Sequence, residues 1–96
     1  LVIWTEPAKN DLKNIFNYIA YDSTFYAKKV TSDIVEKTEY LTDNPFLGTM
    51  VQELKNKSIR QLISYDYRII YKNIDNNAYI LTIIRSKQNL KTKLTK

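Results

Sequence analysis

Cysteine and histidine are both missing from this sequence. No disulfide frame can brace the fold, and no thiolate or imidazole is on hand to ligate zinc. Serine–histidine and cysteine–histidine nucleophile pairs are excluded too, as is a histidine acid or base working near neutral pH. The residues imply no metal and no other cofactor. Long hydrophobic runs are also lacking: nothing approaches the roughly 18 apolar residues of a membrane span, and nothing at the N-terminus reads as a signal peptide. The expectation is a cytoplasmic protein with no membrane partner. Glycine occurs once, at Gly48, and proline twice, at Pro7 and Pro45, so each marks one particular place in the chain.

What is present suffices for a small core. The 96 residues are 44% hydrophobic and read as a single domain over 1–96. A chain of this size buries roughly 60 to 65% of its unfolded surface. Net charge is +5, unevenly placed: through Leu54 five lysines meet eight carboxylates, giving −3, and beyond it ten lysines and arginines meet only Asp66 and Asp75, giving +8. A basic second half suggests an anionic partner, either nucleic acid or an acidic polypeptide. A solubilising surface is the plain alternative.

Residues 1–5 are apolar and β-prone. Thr5-Glu6-Pro7 then offers a capping hydroxyl and a proline in the first helical turn, where its missing N–H costs nothing. Leu12, Ile15, Phe16 and Ile19 form the one-sided stripe of an amphipathic helix, with Lys9, Asp11, Lys13, Asn14 and Asn17 facing out. Asp22-Ser23-Thr24 interrupts the stripe and caps a second helix, which carries Ala27, Val30, Ile34 and Leu41 inward and stops at Thr42-Asp43-Asn44-Pro45. So short a connection predicts an antiparallel helical hairpin. Gly48 follows in a turn, where we expect a backbone conformation that a Cβ would resist.

Residues 50–54 predict a short strand. Residues 58–71, SIRQLISYDYRIIY, place two β-rich runs, 59–65 and 67–71, end to end across Asp66 as a tight hairpin. Residues 78–84 are apolar on both alternations and predict an interior strand. Residues 87–96 are basic and carry no core stripe, which predicts a frayed tail whose Lys91, Lys93 and Lys96 could adhere to an anion. The order β-α-α-β-β-β-β predicts an α+β fold, an antiparallel twisted sheet with the helical hairpin packed on one face.

The hairpin contains a conflict. Arg60 and Arg68 stand among Ile, Leu and Tyr, where a guanidinium must find an anion or reach solvent. Arg68 could lie over Tyr67 or Tyr71 or pair with Glu53 or Asp66, and Arg60 could clamp the hairpin or a loop carbonyl. Arg85 ends a strand, where exposure is easy. Tyr18, Tyr21, Tyr26 and Tyr40 are expected to pack half-buried with wet hydroxyls rather than serve as stacking platforms for bases.

The ordered set Ile3-Trp4-Thr5, Ala8, Asp11-Leu12, Ile15, Tyr18-Ile19, Leu41, Pro45, Gly48, Arg60-Gln61-Leu62 and Tyr67-Arg68-Ile69-Ile70-Tyr71 resembles the RelE/ParE family of bacterial type II toxin–antitoxin toxins over nearly the whole chain. The resemblance implies a small toxin held by a cognate antitoxin, with one of two targets. In the RelE-like branch the toxin cuts messenger RNA on the ribosome. Arg68, with Arg85 or Lys87, would then hold the scissile phosphate, and Glu53 would be the nearest carboxylate to act as base. Residues 86–96 contain no Tyr, Glu or His for the proton transfer that this branch performs from its C-terminal end.

In the ParE-like branch the toxin poisons DNA gyrase with no hydrolytic site. The pattern Ala8, Asp11-Leu12, Ile15, Tyr18-Ile19 looks closer to this branch, as does the closing segment 85–90, although Arg85, Gln88 and Asn89 stand where the branch has histidine, arginine and aspartate. The resemblance therefore implies a gyrase-directed toxin first and a ribosome-dependent endonuclease second. Arg60, Arg68, Arg85 and Lys87 are the candidates to bind the target or the antitoxin. The antitoxin is expected to bring an acidic, partly disordered C-terminal segment that lies against the hairpin or adds a strand at an open edge. A bare nucleic-acid-binding module would require only the charge asymmetry.

Overall fold

The computed structural model describes residues 1–90. Strand β1 (Val2–Trp4) leads into helix α1 (Glu6–Ala20) through Thr5, whose hydroxyl accepts a hydrogen bond from the Ala8 amide at 3.4 Å. Ser23 repeats the device for helix α2 (Thr24–Glu39), accepting from the Tyr26 amide at 3.1 Å. Each cap satisfies an amide that the first helical turn leaves unpaired. A 3-10 turn at Tyr40–Thr42 ends α2, and strands β2 (Thr49–Met50), β3 (Ile59–Ser64), β4 (Tyr67–Ile74) and β5 (Asn77–Arg85) follow. No helix among the described residues is long and apolar enough to cross a membrane.

The five strands form one open, twisted sheet in the order β1-β5-β4-β3-β2. Strand β5 lies between two neighbours, as its two-sided apolar run predicts. Pairings β2–β3, β3–β4 and β4–β5 are antiparallel, but β1 joins β5 in parallel, with Val2 opposite Ala78, so the sheet is mixed. The β4–β5 turn places Asp75 and Asn76 at φ 52° and 63°, the left-handed region that these two residue types tolerate. In the β3–β4 turn Tyr65 has φ 55°. Its hydroxyl donates to the Asp33 carboxylate of α2, which pushes the phenol up to about 12.

The α+β layering is as expected: the helical hairpin covers one face of the sheet. Ala8, Val30, Ile34 and Leu41 pack there against Leu62, Ile69, Tyr71 and Ile80. The expected strand over 50–54 is shorter than its apolar content suggests, because after Met50 the chain leaves the sheet edge and folds beneath the other face. Val51 is fully buried there with Ile70, Ile84 and Leu90, and Leu54, Ile59 and Leu81 pack around them. This second, smaller core corrects the frayed tail at its start, since Leu90 is as buried as any residue of the main core. One isolated leucine carries no periodicity, and its anchoring depends on an apolar patch that only the folded sheet creates. Lys91, Lys93 and Lys96 lie outside the described residues.

Candidate functional site

The structure places the four basic candidates at separate stations. Arg60 is on β3 beside the sheet's β2 edge, where its guanidinium donates to the Gly48 carbonyl at 2.7 Å and lies 5.2 Å from the centre of the Phe46 ring. The Tyr71 hydroxyl completes the clamp, accepting from the Gly48 amide at 2.9 Å and donating to the Pro45 carbonyl at 2.8 Å. Arg60 thus holds a loop carbonyl, the structural role expected of it. Gly48 is needed for a different reason from the one expected: its φ is not positive, but a Cβ would lie 2.6 Å from the Gln61 carbonyl oxygen and 2.7 Å from the Tyr71 ring. Tight packing, not a left-handed turn, selects glycine here.

Arg68 points to the far face of the sheet. Only 7% exposed, it forms a bidentate pair with Glu53, at 2.7 and 2.9 Å, and also donates to the Gln61 side chain at 2.7 Å and the Gln88 carbonyl at 3.2 Å. Glu53 accepts the Leu90 amide as well, at 3.3 Å. The hydrogen bonds from Arg68 draw the Glu53 carboxyl down from 4.5 to about 2, against the opposing effect of burial. Four pieces of chain meet at this pair: the 51–58 loop, β3, β4 and the segment after β5.

Arg85 emerges on the helix side at the end of β5, exposed, with its guanidinium 5.2 Å from the centre of the Tyr18 ring. Beside it a cleft of about 220 Å³ opens between α1 and β5, lined by Asp11, Asn14, Ile15, Tyr67, Ile83 and Gln88 among others. Lys87 is exposed in the turn that follows β5. The +8 second half therefore does not gather Arg60, Arg68 and Arg85 into one basic surface. Two of the three are held by this chain's own oxygens, and the third stands away from them.

The helical pattern sets Asp11 among the outward polar residues of α1, but the structure turns it toward the sheet. Its carboxylate accepts the Ile83 amide at 3.1 Å and the Thr82 hydroxyl, closing β5 where β1 has already ended. The spacing carries the signal: Asp11 falls between Ala8 and Ile15 on the buried stripe, where a carboxylate must have a partner. Replacing Asp11 with alanine is expected to cost about 1 to 3 kcal/mol, since the Thr82 hydroxyl and the Ile83 amide both lose this charged acceptor. Hydrogen exchange at Ile83 should rise selectively, and an unchanged rate would mean that the cap does not form.

Sequence reasoning also missed Tyr18. Tyr18, Tyr21 and Tyr40 are 68%, 92% and 60% exposed, not half-buried, and Tyr26 is 46% exposed. Their helical spacing carried no signal for this, because exposure is decided by what the fold packs against each ring and not by its place in the helix. Among the described residues no cluster of three or more carboxylates, histidines or cysteines could hold a metal ion.

A model of the ParE toxin of the type II toxin–antitoxin system parDE matches residues 2–90. No curated protein gives a significant match. Among solved structures, the chain is similar to one described as the chromosomal ParDE TA system from P. aeruginosa, at 24% identity and a TM-score of 0.74, covering 90% of this chain and 95% of that one. It is also similar to the isolated E. coli RelE toxin, at 13% identity and a TM-score of 0.60, covering 99% and 93% of the two chains. Identities this low speak for the fold alone.

Proposed function

The chain belongs to the ParE toxin family of type II toxin–antitoxin systems, and from that premise we propose that it arrests growth by binding DNA gyrase in the cytoplasm, cutting no nucleic acid, until a cognate antitoxin neutralises it. The observation that carries the non-hydrolytic part of this reading is the Arg68–Glu53 pair. A guanidinium that stabilises a scissile phosphate must keep donors aimed at open space, whereas Arg68 is buried and bound to Glu53, Gln61 and Gln88. A carboxylate that acts as general base must hold a proton well enough to take one, and Glu53 sits at about 2. The two residues that a cleavage mechanism would need neutralise each other.

The antitoxin, on this reading, contributes an acidic, partly disordered C-terminal segment that orders as it binds. Purified toxin, freed of antitoxin, should abolish negative supercoiling by purified gyrase and leave messenger RNA intact on programmed ribosomes. Codon-specific cuts that vanish in an Arg68→Ala variant, with gyrase unaffected, would overturn the proposal.

A further inference from the structure

Lysines of the basic second half converge where its arginines do not. Directly paired residues of neighbouring strands share a face of the sheet, and the pairings set Ile59, Lys72, Tyr79 and Ile3 in one row across β3, β4, β5 and β1. Ile59 packs in the smaller core, so the whole row lies on the face away from the helices, and all four residues are half-buried. The 51–58 loop that crosses beneath this face adds Lys55 and Lys57, both exposed. Among the described residues none of these three lysines forms an ion pair, and Glu53, the carboxylate of this face, is already bound to Arg68. Seven of the protein's ten carboxylates lie instead in the helical hairpin and at its ends. Asp75 stands at the rim, in the β4–β5 turn, where it shares a depression with Lys57, and Asp66 is in the turn at the other end of β4. The described chain ends on this same face, at the buried Leu90, with Lys91, Lys93 and Lys96 still to come in the sequence.

We propose that this face binds the phosphate backbone of duplex DNA, whatever its sequence. Lys55, Lys57 and Lys72 each meet a phosphate, and the counterions they displace supply the driving force. The lysines stand on a sheet face and a loop, with no element among them shaped to enter the major groove as a helix or two-stranded ribbon does, so base edges go unread. An acidic polypeptide fits less well. Lysine is depleted from protein–protein interfaces, whose centres are held by aromatic or apolar anchors in pockets, and the apolar patch on this face is already covered by Val51, Leu54 and Leu90. A lysine ammonium on its long stem suits phosphate, as a point charge. The proposal goes beyond the gyrase reading and does not require it: what it adds is direct contact between this chain and DNA.

The test titrates the purified chain, freed of antitoxin, against a short labelled DNA duplex over a range of salt. Log Kd should rise with log salt at a slope of about 2.7 or more, roughly 0.9 for each phosphate contact. Lys55→Gln and Lys72→Gln should each lower that slope by about 0.9 and weaken binding about tenfold near 50 mM salt, to the same extent on AT-rich and GC-rich duplexes. Lys13→Gln makes the same charge change on the exposed side of α1 and should stay within about twofold of wild type. Lys55 is exposed in a loop, so its variant should keep the wild-type thermal midpoint and decide the matter even if Lys72→Gln is destabilised. Binding indifferent to salt would overturn the proposal, as would equal losses in Lys55→Gln and Lys13→Gln. So would displacement of the duplex by polyglutamate at matched charge, which would assign the face to acidic polypeptides. Gyrase is absent from the titration, so failure of the gyrase reading and failure of this one are separately visible.

Discussion

Replacing Glu53 with glutamine should destabilise the protein by about 3 kcal/mol at neutral pH, the lower end of what breaking a buried ion pair costs. Arg68 keeps its charge in the variant while its side chain is 9% exposed, and the amide restores only part of the hydrogen bonding. The lower end is appropriate because Glu53 is itself 22% exposed and water already reaches it. Removing both partners together, as Glu53→Met with Arg68→Met, should recover most of the loss, since an apolar pair leaves no charge stranded. The acid limb gives an independent check. Glu53 titrates near 4.5 when unfolded and at about 2 when folded, so its contribution is full above about 4.5 and disappears as pH falls toward 2. Denaturant midpoints of the wild type should therefore drop through that window, whereas those of Glu53→Gln should not drop with them. Parallel curves would mean that the pair does not hold the fold.

The second large effect is expected at Gly48. Alanine there should cost about 3 kcal/mol, the upper range for overpacking, because the new methyl has nowhere to go. On one side is the Gln61 carbonyl, a backbone atom of β3, and on the other the fully buried Tyr71 ring. Neither yields easily, since Tyr71 is bonded to Gly48 and Pro45 through its hydroxyl. Tyr71→Phe removes one of the clashing atoms along with those two bonds. The alanine substitution should therefore cost less in that background than in the wild type, a non-additivity that thermal unfolding of the four proteins would show. If the two losses simply add, Gly48 and Tyr71 do not act as one unit.

Much of the fold can be read locally. Thr5 and Ser23 announce both helices, the stripe through Leu12, Ile15 and Ile19 chooses the inner face of α1, and the alternation of 78–84 places β5 inside the sheet. What escaped reading depends on tertiary register. The parallel partnership of β1 with β5 joins opposite ends of the chain, and no local turn dictates it. Arg60, Arg68 and Arg85 look alike in sequence, each a cation near a run of apolar residues. Their different fates come from what the fold brings near: a loop carbonyl, a carboxylate from a loop that crosses under the sheet, and a tyrosine ring with open water beyond. Asp11 was legible from its place on the apolar stripe. Leu90 was not, because the surface that receives it is assembled from β4, β5 and the 51–58 loop.

The ladder between β4 and β5 contains one irregularity. Tyr71 pairs with Ile80 and Ile70 with Thr82, so Leu81 has no opposite number. Side chains of a strand alternate between faces, and one extra residue reverses the alternation for everything after it. Ile80 faces the helices before the bulge, and Ile83 does so after it, which a count by twos from Ile80 would forbid. Arg85 follows Ile83 onto that side and meets Tyr18. A count by twos from Ile80 would set the same arginine on the opposite face, beneath which Glu53 and Leu90 lie. Deletion of Leu81 would restore a regular ladder and leave Arg85 opposite Tyr67 on the helix side, so the bulge is the device by which β5 carries one residue more than its neighbour without moving that charge across the sheet.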